Sequence, residues 1–95
     1  MAKFTMIDGT VINLSTDGYG VFWRRDRDGY MAVANLFDPS PETLAKRMEN
    51  IDKLDFDSWL LMAMRDTYAE AAAIVRKYTK GASGRYRDIT IVKGE

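Results

Sequence analysis

The chain has 95 residues, 46% of them hydrophobic and 12% aromatic, with 14 Lys plus Arg balanced by 14 Asp plus Glu. That length predicts one domain over residues 1–95, with roughly 5,500 Å² of folded surface, and the apolar content excludes a disordered chain. Neither His nor Cys occurs, which excludes disulfides, thiol chemistry, imidazole base catalysis and the usual zinc ligand sets.

Zero net charge gives no global field toward nucleic acid or an acidic membrane face. The start Met1-Ala2-Lys3-Phe4 is unlike a signal peptide, and no apolar run reaches the roughly 18 residues that span a bilayer. A cytoplasmic protein is expected.

Three Asp-Gly pairs, Asp8-Gly9, Asp17-Gly18 and Asp28-Gly29, punctuate the first third. Asp-Gly suits the positive φ of tight hairpin turns, so the segments Lys3 to Ile7, Thr10 to Ser15, Gly20 to Arg25 and Tyr30 to Leu36 read as a four-stranded antiparallel meander. In the first hairpin, Phe4, Met6 and Val11 then share one side and Ile7, Ile12 and Leu14 the other. A tight turn at Asp28-Gly29 pairs Arg27 with Tyr30, Arg25 with Ala32, Trp23 with Ala34 and Val21 with Leu36.

After Asp38-Pro39, the run Ser40-Pro41-Glu42 supplies an N-cap, a proline for the first turn and an acid for the positive helix end. A short helix follows to about Asn50, with Leu44, Met48 and Ile51 on its apolar stripe. Asp55 or Asp57 is read as the cap of a longer helix with a seam of Leu60, Met64, Thr67, Ala71, Ile74 and Tyr78. Its solvent face carries Arg65, Asp66, Glu70, Arg76 and Lys77, and Gly81 ends it. The β-branched run Tyr86 to Val92 returns as a fifth strand. The expected fold is α+β in the order ββββααβ, with both helices packed on one face of the sheet.

Gly18-Tyr19-Gly20 before an apolar run is similar to the RNA-reading strand of RRM and cold-shock domains. Val21 stands where the second aromatic of that face belongs, and Asp17 replaces the leading base, so no family is assigned. Asp26-Arg27-Asp28-Gly29 is no calcium loop, because Arg24 and Asn35 occupy ligand positions of the EF-hand pattern. The carboxylates at Asp8, Asp17, Asp28, Asp55 and Asp57 sit at turn and cap positions. No nucleophile has a base at motif spacing, and no cofactor or metal site is indicated.

Both hairpins look apolar on two sides, more than a sheet with one wet face requires. This points to a non-enzymatic interaction protein that occupies a surface of another protein or of its own copy as a homodimer: an adaptor, an assembly component or an inhibitor, phage-encoded inhibitors of host defence included. The candidate contact residues are Tyr19, Trp23, Arg25, Arg27 and Tyr30, because aromatic and Arg side chains dominate binding energy. The alternative is single-stranded nucleic-acid binding through Arg76, Lys77, Lys80, Arg85, Tyr86 and Arg87, cations and aromatics around a Gly-rich loop.

Overall fold

A computed structural model describes residues 1–34, 40–80 and 86–95. In chain order the elements are β1 (Ala2–Thr5), β2 (Val11–Leu14), β3 (Tyr19–Arg25), α1 (Arg27–Ala34), α2 (Pro41–Asp52), β4 (Leu60–Arg65), α3 (Tyr68–Lys80) and β5 (Tyr86–Lys93). The class is α+β, but the described strands form two antiparallel sheets, β1-β2 and β4-β3-β5, in place of a four-stranded meander.

The first hairpin forms where Asp8-Gly9 predicts it, with a different register. Met6 N–H donates to the Thr10 carbonyl at 2.7 Å and Gly9 N–H to the Met6 carbonyl at 2.9 Å, so the loop has one residue more than a tight two-residue turn. Gly9 takes φ 90° within it. Phe4 consequently pairs with Ile12 rather than Asn13, and a one-residue shift exchanges the faces of a strand. Ile12 and Leu14 therefore join Phe4 and Met6 in the core, while Ile7 (92% exposed) and Val11 turn to solvent.

The expected strand from Tyr30 is instead helical as far as Ala34, and the rest of it, with Leu36, lies outside the described residues. Tyr30 N–H donates to the Asp26 carbonyl at 3.0 Å, so Asp28-Gly29 lies in the first turn of a helix and not at a hairpin tip. The reason is competition for an edge. β3 is hydrogen-bonded to β4 on one side and β5 on the other, which leaves no edge for residues 30–34.

The expected long helix divides. Leu60–Arg65 pairs with β3 as a strand, and helix begins only after Thr67, whose hydroxyl accepts from Glu70 N–H at 3.2 Å and donates to the Glu70 carboxylate at 2.8 Å. This side-chain exchange sits at the capping-box spacing. Asp55 does act as a cap, but of a turn: its Oδ1 accepts from the N–H groups of Asp57 and Ser58 at 2.9 and 3.2 Å. At the start of α2 the reading holds, with Ser40 as N-cap accepting from Thr43 N–H and Pro41 in the first turn, and the helix runs to Asp52.

Val21 and Phe22, neighbours on the central strand, are both fully buried and point to opposite faces. On one face lies α3, with Tyr68 against Tyr19 and Tyr78 against Tyr86. Against the other face packs the β1–β2 hairpin, whose Phe4 meets Phe22 in a cluster with Ala2, Met6 and Trp59. Among the described residues, α3 is the helix that covers this sheet. At the far end Lys3 and Glu95 exchange both backbone hydrogen bonds at 2.9 Å, tying β1 to the end of β5.

Among the described residues, helices α1 and α2 pack on one another and on neither sheet to a comparable extent, contrary to the expectation that α2 lies on the sheet. The molecule extends 48 × 25 × 20 Å with a radius of gyration of 15.7 Å, against about 12 Å for a compact chain of this length.

Candidate functional site

Closely spaced cations, Arg24 and Arg25 at the end of β3 and Arg27 at the start of α1, stand at the base of the α1–α2 hairpin. Arg24 donates from Nε and Nη2 to Asp88 Oδ2 at 3.0 and 2.7 Å. Its guanidinium lies 4.3 Å from the centroid of the Trp59 ring, and Trp59 Nε1 donates to Asp8 Oδ2 at 3.1 Å. One side chain thereby joins the β1–β2 hairpin tip, the residue before β4, and β5.

Asp88 is suited to this role by its backbone. The β3–β5 register shifts between Phe22 and Arg24, and Asp88 takes φ 55° there, a left-handed conformation that Asp tolerates better than most residues. Such a bulge re-aims side chains. Arg87 donates from Nη1 to Asp88 at 2.8 Å, from Nε to the Arg25 carbonyl at 3.0 Å and from Nη2 to the Phe56 carbonyl at 2.6 Å.

The segment between α2 and β4 is held from three directions. Arg25 Nη1 donates to the Asp55 carbonyl at 3.2 Å from β3, and Arg87 holds Phe56 from β5. From α1, Arg27 pairs with Asp52 and lies 5.8 Å from the Phe56 ring centroid, while Tyr30 meets the same ring edge-on at 6.0 Å.

Two carboxylates of this junction are held below their ordinary pKa. For Asp8 the chief cause is the Thr10 backbone N–H (3.0 Å), then the Thr10 side chain and the Trp59 indole, with the Arg24 charge smaller. Asp55 is lowered first by the Ser58 hydroxyl, then by the Asp57 and Ser58 N–H groups. Carboxylates so stabilised stay ionised at neutral pH and make weak general acids. Among the described residues no group of three or more acidic side chains is placed to hold a metal ion.

The Asp28-Gly29 hairpin that would align Arg27 and Tyr30 with Tyr19, Trp23 and Arg25 of β3 is absent, and those two candidate contact residues lie on α1. Tyr19 sits at the opposite end of β3, between Tyr68 and Lys93, whose ammonium is 5.9 Å from its ring centroid. Trp23 packs edge-on against Tyr86 at 4.4 Å. Arg25, Arg27 and Tyr30 do come together, around Phe56. Of the basic set, Arg76 and Lys77 are exposed on α3, Tyr86 lies between Trp23 and Tyr78, and Arg87 turns into the junction. The Lys80 side chain and Arg85 lie outside the described residues.

Phe56, Trp59, Asp52 and Asp88 are absent from the sequence-derived set. The signal for the first two was present in Asp55-Phe56-Asp57-Ser58-Trp59, a pair of large aromatics within a capped turn. No family model, curated protein or solved structure matches this chain. No helix among the described residues is long and apolar enough to cross a membrane.

Proposed function

We propose that the protein is a non-enzymatic interaction domain that occupies a surface of another protein or of a second copy, with the α1–α2 hairpin as contact element and the arginine junction as its base. The supporting observation is surface area. The chain exposes 6296 Å², about 750 Å² more than the size relation gives for a folded monomer of this mass. One partner in a standard interface contributes about 800 Å². An adaptor, assembly component or inhibitor working in the cytoplasm fits this reading, and the absence of cysteine suits a reducing compartment.

Sedimentation equilibrium of the wild type and of an Ala32→Arg/Ala45→Arg double variant tests it, both positions being exposed on the hairpin. The expected result is a wild-type dimer and a monomeric variant with unchanged circular dichroism. A wild type that stays monomeric removes the second copy. The reading then requires a protein partner that the wild type captures from host lysate and the double variant does not.

The nucleic-acid alternative draws support from the Trp23–Tyr86–Tyr78 run of ring contacts near the exposed Arg76 and Lys77. It loses Arg87, which is engaged by Phe56 and Asp88. An oligonucleotide affinity that falls steeply with salt and is lost in Arg76→Ala/Lys77→Ala would favour it.

A further inference from the structure

We propose that Asp17-Gly18 is a site of spontaneous isoaspartate formation, and that this modification loosens the seam where the end of β5 meets β1 and the start of β3. The chain carries Asp-Gly at 8–9, 17–18 and 28–29, and in a flexible peptide the unhindered glycine lets all three close the same ring. The fold separates them. Gly18 N–H donates to Oδ1 of Asp17, the side chain just before it, at 2.7 Å, so the attacking nitrogen already rests on the carboxyl group it must join. Asp17 is exposed, which admits the water that later opens the ring.

The other two pairs are held away from reaction. Gly9 N–H donates to the Met6 carbonyl at 2.9 Å, and the Asp8 carboxylate is occupied by Thr10 N–H at 3.0 Å and the Trp59 indole at 3.1 Å. These bonds, that of Thr10 first, keep Asp8 ionised, whereas ring closure needs the acid form. Asp28-Gly29 lies inside the helical turn closed by Tyr30 N–H on the Asp26 carbonyl at 3.0 Å, and rotating the Asp28 backbone toward its side chain breaks that turn.

In the reaction the Gly18 nitrogen bonds to Asp17 Cγ and gives up its proton, while a Cγ–O bond breaks and one water leaves, forming a cyclic imide. Water adding at Cγ regenerates Asp17. Water adding at the Asp17 backbone carbonyl breaks its bond to the Gly18 nitrogen and leaves a main chain running through Cβ and Cγ, one methylene longer. That lengthening falls on a tight seam. Gly94 N–H donates to the Gly18 carbonyl at 2.9 Å, Lys3 and Glu95 exchange both backbone bonds beside it, and a Cβ on Gly94 would lie 2.5 Å from Asp17 Oδ1.

Incubation at neutral pH in heavy-oxygen water tests this, because each ring opening writes a heavy oxygen into the reacting residue and fragment-ion mass spectrometry locates it. Each site's rate in the folded chain is divided by its rate in urea. The expected ratio at Asp17 exceeds those at Asp8 and Asp28 by about ten-fold. Similar ratios at the three sites, as labelling through transient unfolding gives, or a larger one at Asp8 or Asp28, overturn the proposal. Asp17→Glu, whose larger ring closes poorly, should abolish label at position 17 and leave the other two sites unchanged, and label persisting there also overturns it. In the isolated isoaspartyl form, amide exchange at Gly94 and Glu95 should quicken about ten-fold, and unchanged exchange refutes the loosening.

Discussion

Phe4 and Phe22 meet with ring centroids 5.5 Å apart at an interplanar angle of 53°, and neither is exposed to solvent. This contact helps join the two sheets, since Phe4 belongs to β1 and Phe22 to the centre of the β4-β3-β5 sheet. Replacing either by Ala should cost about 3 to 5 kcal/mol, a large share of the 5 to 15 kcal/mol typical of a domain. Urea denaturation of Phe4→Ala checks this, and a midpoint within error of the wild type would contradict it.

Gly94 should be intolerant of a side chain for steric reasons. A Cβ there would lie 2.8 Å from Phe4 Cζ, 2.5 Å from Asp17 Oδ1 and 3.1 Å from Ala2 Cβ. Gly94→Ala is therefore expected to destabilise by about 1 to 3 kcal/mol, as overpacking does. Gly9→Ala tests a different cause, because nothing lies near its Cβ but its φ is 90°. Its cost should be the left-handed strain alone, about 1 to 2 kcal/mol.

Thr67→Ala should lower global stability by about 1 kcal/mol, the usual cost of losing a helix cap, because α3 packs across β3, β4 and β5. Ser40→Ala removes a comparable cap from α2. It should reduce helicity by circular dichroism with a smaller shift in the main thermal transition, since α2 contributes little to the sheet core. Equal shifts for the two variants would argue against that separation.

Arg25→Ala should lower stability as well as any partner binding. The residue is partly buried, and its guanidinium donates to the Asp55 carbonyl in an exposed hydrogen bond; hydrogen bonds to charged groups contribute about 1.5 to 3 kcal/mol before solvent exposure is discounted. A melting temperature identical to wild type would show that the bond is not maintained in solution.

Acid should weaken the protein only in a low window. Asp8 and Asp55 have folded pKa values below their ordinary ones, so below about pH 4 the unfolded chain binds protons that the folded chain does not. Their contribution is fully present above the unfolded value and is lost as pH falls through the folded values. With no histidine in the chain, melting temperature should be nearly flat from about pH 5 to pH 7. Asp8→Asn should shallow the acid limb, and an unchanged limb would exclude Asp8 as a contributor.

What the sequence determined is what neighbouring residues decide among themselves. Ser40-Pro41 starts α2, Asp8-Gly9 closes a hairpin, Ala71, Ile74 and Tyr78 lie at helical spacing, and the β-branched Tyr86–Val92 run is a strand, because caps, turns and periodicity act over a few residues. Tertiary structure decided the segments whose local signals permit two answers. Leu60 to Met64 is an uncharged apolar run that fits a helix or a buried strand equally, and pairing with β3 selects the strand. Residues 27–34 carry a hairpin-like Asp-Gly, yet both edges of β3 are occupied by partners distant in sequence. The candidate site divides in the same way. Arg25, Arg27 and Tyr30 were legible as a cationic, aromatic group, but the Phe56 and Asp88 that organise the junction arrive from β4's leading turn and from β5. Contacts formed across such separations depend on which strand wins an edge, a competition that no local stretch of sequence encodes.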